Sequence, residues 1–321
     1  MLPKVAIQAD GAAGLSVSQL SQTQVNTALT TVLDADLGGM QKWLAWCEGD
    51  MGHCACKALP FQPKDLPGVS FRLIDLQRRC IVTPPRDTAF IALTYVWGGV
   101  EQLRLNRTTE PVLMQDGGLA VSWLRLSTTI RDAIIVCEKL GERHLWTDTL
   151  CIMQDSSRDM TVQLTWMRQI YASAKCAIAA VGAATADHGL LVSSRAEQVV
   201  PNSEDALTTL IASSPWEGRA WCYQEKVFSH RMIIFTHCGI YAQCQGGSYD
   251  VEGAQLERRN IRLLDTYNTC GGMLFVPRGE DLESFISAVE YYSQRQLTKS
   301  QDKKHAFEGI FRRYANGMDG Q

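Results

Sequence analysis

Between Phe90 and Val181 the sequence alternates short runs of branched and aromatic residues with longer stretches of helical periodicity, and this alternation limits the fold more than any other feature. The run Phe90–Trp97, Phe-Ile-Ala-Leu-Thr-Tyr-Val-Trp, has few polar atoms, as a strand covered on both faces requires. Ser127–Leu140 places Ile130, Ala133, Ile134 and Cys137 on one stripe, with hydroxyl residues available to cap its start and Gly141 just past its end, and so predicts a helix. His144–Ile152 predicts a second buried strand. Gln163, Trp166, Met167, Ile170, Tyr171 and Ala174 trace a second helix, and Ala177–Val181 is a third short apolar run. Strand, helix, strand, helix, strand at this spacing implies right-handed crossovers, so the expected class is α/β: a parallel sheet flanked by helices.

Around this unit the chain divides into three expected parts. Residues 1–82 form a lead segment and a Cys-containing extension, with one amphipathic helix over Leu20, Val25, Leu29 and Val32 and a half-buried strand within Val69–Leu76. Residues 83–240 form the core, interrupted by a polar, small-residue insertion over 183–214, with a helix at Arg219–Val227 and a strand at Met232–Phe235. Residues 241–321 read as a mainly helical extension packed on the core, with two helices within 281–317.

At 45% hydrophobic and 20% charged residues the chain has the composition of a globular protein. Its formal charge of -3 supplies no broad positive field for phosphate backbones, so nucleic acid is not expected as a partner. No apolar run approaches the roughly 20 residues of a membrane-spanning helix, and the amino terminus lacks the apolar core of a secretory signal; no membrane insertion and a cytoplasmic location are expected. The eleven cysteines are an odd, scattered set of the kind that stays reduced. Cys47, His53, Cys54 and Cys56 hold zinc-type ligands without paired C-x2-C and H-x3-H spacing, so they are expected to be structural and no metal is assigned.

Open α/β sheets bind ligands beyond the carboxyl ends of their strands, which directs attention to Trp97, Gly98 and Gly99, and to Asp148, Cys151, Gln154 and Asp155. Burying Asp148 in an apolar run is costly unless a ligand or a helix end compensates it. Cys151 as a nucleophile would need a base, and the sequence places no histidine near it. No G-x-S-x-G elbow, phosphate loop or H-E-x-x-H helix occurs, which removes the usual evidence for hydrolase, NTPase and metalloprotease classes. The sharpest constellation is Ser214-Pro-Trp-Glu-Gly-Arg-Ala-Trp-Cys-Tyr-Gln-Glu225, in which Trp221 and Glu225 share one helix face. An indole beside a carboxylate suits a cationic, ring-bearing ligand, and a carboxylate stabilises an oxocarbenium-like state electrostatically. The alternative is an Arg219–Glu225 ion pair locking a turn, with Trp221 as core.

These motifs together resemble the fungal heterokaryon-incompatibility (HET) domain. The resemblance rests on Tyr95-Val-Trp-Gly98, Leu126–Ala133, Leu145–Asp155, Met167–Ala174 and Arg219–Glu225, with Thr147 standing where the family usually has an aliphatic residue. That family is itself similar to the TIR fold, which implies a flavodoxin/TIR-like sheet, and the Trp221-x-x-x-Glu225 spacing resembles that of TIR domains that hydrolyse NAD. The resemblance implies catalysis by Glu225, with Trp97, Gly98, Asp148, Cys151, Arg219 and Trp221 binding NAD as substrate and no further cofactor. It implies a programmed-cell-death effector acting through self-association or another incompatibility protein. The alternative it leaves open is a non-catalytic signalling module with a TIR-like interaction surface.

Overall fold

A computed structural model describes residues 37–49, 56, 66–190, 201–244, 246–250, 253–256, 282–297 and 303–318. One eight-stranded sheet runs through it, built from β1 (Leu73–Asp75), β2 (Cys80–Val82), β3 (Ile91–Thr94), β4 (His144–Trp146), β5 (Cys176–Ala180), β6 (Arg231–Phe235), β7 (Ile240–Cys244) and β8 (Gly247–Tyr249). Their spatial order is β2-β1-β4-β3-β5-β6-β7-β8. The middle four strands are parallel, with Ile91 beside both Leu145 and Cys176, and Ala177 beside Met232. β3 and β5 are buried along their whole length, which is why they read as unbroken apolar runs.

The expectation of a parallel sheet is corrected at both edges. β1 is antiparallel to β4 and β2, and β7 is antiparallel to β6 and β8, so the sheet is mixed. Short connections dictate this for β1–β2, β6–β7 and β7–β8, because loops of two to four residues can join only antiparallel neighbours. In the β1–β2 turn, Asp75 Oδ1 accepts the amides of Gln77 and Arg78, at 3.0 and 3.1 Å. β7 and β8 escape sequence reading because Ile240–Cys244 has an interior glutamine and Gly247–Tyr249 is only three residues long.

The helices are α1 (Leu37–Glu48), α2 (Glu110–Leu113), α3 (Gly118–Val121), α4 (Thr128–Lys139), α5 (Asp148–Cys151), α6 (Ser157–Thr165), α7 (Met167–Ser173), α8 (Glu204–Ala212), α9 (Ala220–Phe228), α10 (Leu282–Ser293) and α11 (His305–Met318). α4 stops as its glycine predicts: Gly141 has φ 78, its amide meets the Glu138 carbonyl, and the Glu142 amide returns to Cys137. Its start differs from expectation. Ser127 makes no capping bond; the Thr129 amide is instead taken by the Ala186 carbonyl at 2.9 Å. The stripe from Gln163 to Ala174 is two helices, broken where the Trp166 amide is shared between the carbonyls of Val162 and Gln163. The predicted strand His144–Ile152 is a three-residue strand followed by α5. The expected helix over residues 20–32 and the stretch 191–200 of the insertion lie outside the described residues. Among the described residues no helix is long and apolar enough to cross a membrane.

A buried ion pair fastens α6 to the approach of β1. Arg72 Nη1 lies 3.2 Å from both Asp159 oxygens, and Asp159 Oδ2 also accepts the Met153 amide at 2.8 Å. Both side chains are buried, so removing one charge strands the other. Asp159→Ala is expected to lose about 3–5 kcal/mol in urea unfolding; a loss within ~1 kcal/mol would show that Arg72 is satisfied by the carbonyls of Ser70 and Cys151 alone.

Candidate functional site

The chain leaves β3 for β4 on one side and returns to β5 on the other, so a crevice opens where these directions diverge, beyond the carboxyl ends of the strands. A cavity of about 820 Å³ occupies it. Tyr95–Val100 enter it after β3, Asp148 after β4, Ala184 after β5 and Trp221 with Glu225 from α9, while Gln296 and Leu297 line it from the C-terminal region. Gly98 turns the chain at the rim. Its φ is 69, and a Cβ there would lie 2.5 Å from the Thr185 side chain, so the loop tolerates only glycine.

Two loops are tied together across the crevice by an indole and a carboxylate. Trp97 Nε1 donates to Asp148 at 3.1 and 3.3 Å, and Asp148 Oδ1 also accepts the Thr149 amide at 2.8 Å and the Thr149 hydroxyl at 3.1 Å. Asp148 is therefore compensated by the first turn of α5 and by Trp97, and it also lines the cavity. Burial raises its pKa, opposed by the Arg219 charge and these hydrogen bonds. The Arg104 guanidinium lies 5.1 Å from the centre of the Trp97 ring and lines the same cavity.

Glu225 is buried in the cavity wall. The residue is only 7% exposed, yet it lines the cavity, one helical turn from Trp221. Thr94, the last residue of β3, donates its hydroxyl to Glu225 Oε2, and the Thr94 oxygen in turn accepts Trp216 Nε1 at 2.8 Å. Burial pushes the Glu225 pKa up to about 7, with Asp148 adding to the rise while the Thr94 bond and Arg219 oppose it. Arg219 points its Nη1 at the Tyr95 carbonyl, 2.6 Å away, and so braces the loop after β3. A carboxyl that changes charge near neutral pH inside a cleft can meet a cationic ligand as a carboxylate and can carry a proton.

The amino end of α9 is clamped from the C-terminal region. Arg219 and Gln296 form a parallel bridge in which the Gln296 amide donates to the Gly218 carbonyl at 2.8 Å and the Ala220 amide to the Gln296 carbonyl at 3.0 Å. Beneath it, buried Glu217 accepts Lys226 Nζ at 2.6 Å together with the Arg295 guanidinium and the Tyr291 hydroxyl. Burial draws Lys226 down to about 8.

Of the residues singled out by sequence, Trp97, Gly98, Asp148, Arg219, Trp221 and Glu225 all line this one cavity. Cys151 does not. It is fully buried on the inner side of α5, 4.0 Å from the Leu145 carbonyl, and burial pushes its thiol up to about 12. Sequence reading missed Thr94, Trp216, Arg104, Gln296 and Leu297. Thr94 was detectable as the one hydroxyl in an otherwise apolar strand; the C-terminal pair is brought in only by tertiary structure.

Because the folded pKa of Glu225 exceeds the ordinary 4.5, the native state holds this proton to higher pH than the unfolded chain does. The resulting stability is complete below about pH 4.5 and is lost as pH rises through about 7. Glu225→Gln keeps an acceptor for Thr94 and has no charge to bury. Its melting temperature should exceed the parent's above pH 7, by a margin equivalent to at most about 3 kcal/mol, and converge with it toward pH 4.5. A gap constant from pH 5 to pH 8 in thermal melts would show that Glu225 titrates as an ordinary carboxylate.

Residues 90–225 match the family model described as heterokaryon incompatibility protein (HET). The chain is also similar to heterokaryon incompatibility protein 6, OR allele, of Neurospora crassa, at 29% identity over 148 residues. That match covers 41% of this chain and 21% of the relative, so the chain spans about a fifth of the length of that curated protein. No solved structure matches the chain. The matched segment begins one residue before β3 and ends on Glu225, so the part of the chain that is similar to the HET family encloses the cavity's acids and indoles.

Proposed function

We propose that this cleft binds NAD and hydrolyses the bond between nicotinamide and ribose, and that the chain thereby acts as a cytoplasmic cell-death effector in heterokaryon incompatibility when it self-associates or meets another incompatibility protein. The observation that carries the reading is Glu225, a carboxyl with a pKa near 7 lining an 820 Å³ cavity one helical turn from a cavity-lining indole. The volume suits a dinucleotide-sized ligand. The order of the parallel strands, second-first-third-fourth, is that of flavodoxin-like sheets, and the Trp221-x-x-x-Glu225 spacing is similar to that of NAD-hydrolysing TIR domains.

In this reading the positive pyridinium ring stacks near Trp221 and Trp97 and favours the ionised form of Glu225. The C–N bond breaks with its electron pair leaving on nicotinamide, which becomes neutral. Positive charge develops on the ribose, where the carboxylate opposes it in a low-dielectric site. Water then adds to the ribose carbon and gives up a proton, for which Glu225 is the nearest base. Arg104 and Arg219 supply positive charge for the pyrophosphate, and Gly98 admits it close to the backbone.

Purified protein incubated with NAD is expected to release nicotinamide at a rate that rises with protein concentration and as pH passes upward through about 7. Glu225→Ala should lower that rate by roughly 10²-fold or more. Undiminished release by Glu225→Ala would remove Glu225 from catalysis, and the absence of release from the parent at every concentration would favour the non-catalytic signalling module.

A further inference from the structure

Cys47 stands at the end of α1, Cys56 follows it by nine positions, and Cys244 closes β7 at the far edge of the sheet. Their sulfurs all lie within 4.8 Å of one another, and all three residues are buried. Sulfurs around a tetrahedral zinc ion, with Zn–S of about 2.3 Å, stand about 3.8 Å apart, so small rotations close this triangle onto an ion. Spacing in the sequence conceals the group, because its third member lies almost 200 residues from the first.

Two of the three sulfurs already accept hydrogen bonds from fixed donors. Arg231 Nε donates to Cys47 Sγ at 3.3 Å, and the Gly246 amide donates to Cys244 Sγ at 3.3 Å. Hydrogen bonds of this kind orient thiolate ligands and offset their charge. A divalent cation together with the Arg231 guanidinium would offset the charge of three thiolates, and Arg231 also meets Glu48 Oε1 at 3.9 Å.

We infer that Cys47, Cys56 and Cys244 supply three ligands of a zinc site, with one coordination position left over, that fastens α1 to the antiparallel edge of the sheet. The contacts around it serve the same junction, with Trp43 and Trp46 meeting the Tyr249 ring of β8 at 6.1 and 5.9 Å between ring centres. None of the three cysteines lines the cavity, and the site is independent of the chemistry proposed for Glu225.

The test uses the whole chain, purified under reducing conditions without a metal-affinity tag, with zinc measured by elemental mass spectrometry. About one equivalent per chain is expected. Cys47→Ser, Cys56→Ser and Cys244→Ser should each fall to about a tenth of that or less, while Cys238→Ser, outside the cluster, retains it. Should the serine variants fail to fold, the parent still decides the matter: after chelation and cobalt loading it should show the sulfur-to-cobalt charge-transfer absorption of a thiolate site, bleached by added zinc. A zinc-free parent lacking that absorption after cobalt loading overturns the site. So does peptide mapping that finds two of the three sulfurs joined as a disulfide, or equal zinc in the parent and all three folded serine variants.

Discussion

Thr94 ends the central strand by giving its only hydroxyl proton to Glu225, and its oxygen is already engaged by the indole of Trp216. An acid withdrawn from water costs several kcal/mol unless its partners are held in place, so the surrounding architecture must fix α9 against β3 to within a fraction of an ångström. That demand explains the density of polar contacts at the start of α9. Arg219 reaches back to the loop after β3, Gln296 bonds the backbone on both sides of Arg219, and Glu217 gathers Lys226, Arg295 and Tyr291 beneath.

Around the cavity the charges are mixed rather than uniform. Asp148 and Glu225 occupy the inner wall with Arg219 between the loops, while Arg104 lies exposed over Trp97 at the rim. The Asp148 charge adds to the rise in the Glu225 pKa that burial causes, and the Arg219 guanidinium limits it. A ligand carrying both a cationic ring and anionic phosphates is complementary to such a surface, whereas a purely anionic or purely apolar one is not.

Much of the centre of this fold was legible because buried parallel strands leave a strong imprint. The apolar runs Phe90–Trp97 and Ala177–Val181 located the covered strands Ile91–Thr94 and Cys176–Ala180, though not the end of the first, and Gly141 marked the end of α4 by a conformation that glycine adopts without strain. The edges were not legible. Strands of three to five residues with polar interruptions, such as β7 and β8, take their identity from a neighbour's hydrogen bonds rather than from their own pattern. At the site, Trp221 and Glu225 could be paired by helical geometry alone, since one turn separates them. Cys151 shows the limit of that reasoning: a strand was expected through Ile152, and the turn into α5 carried the thiol inward and the Asp148 carboxylate outward.

The Gln296 bridge has an evolutionary corollary. The acid and the indoles belong to the stretch that the family model matches, whereas Gln296 and Leu297, which line the same cavity, lie some seventy residues beyond it. The lining of the cavity is thus encoded in separable stretches of the gene. Under the proposed function, a change in the distal stretch would recut the aperture without altering the acid behind it.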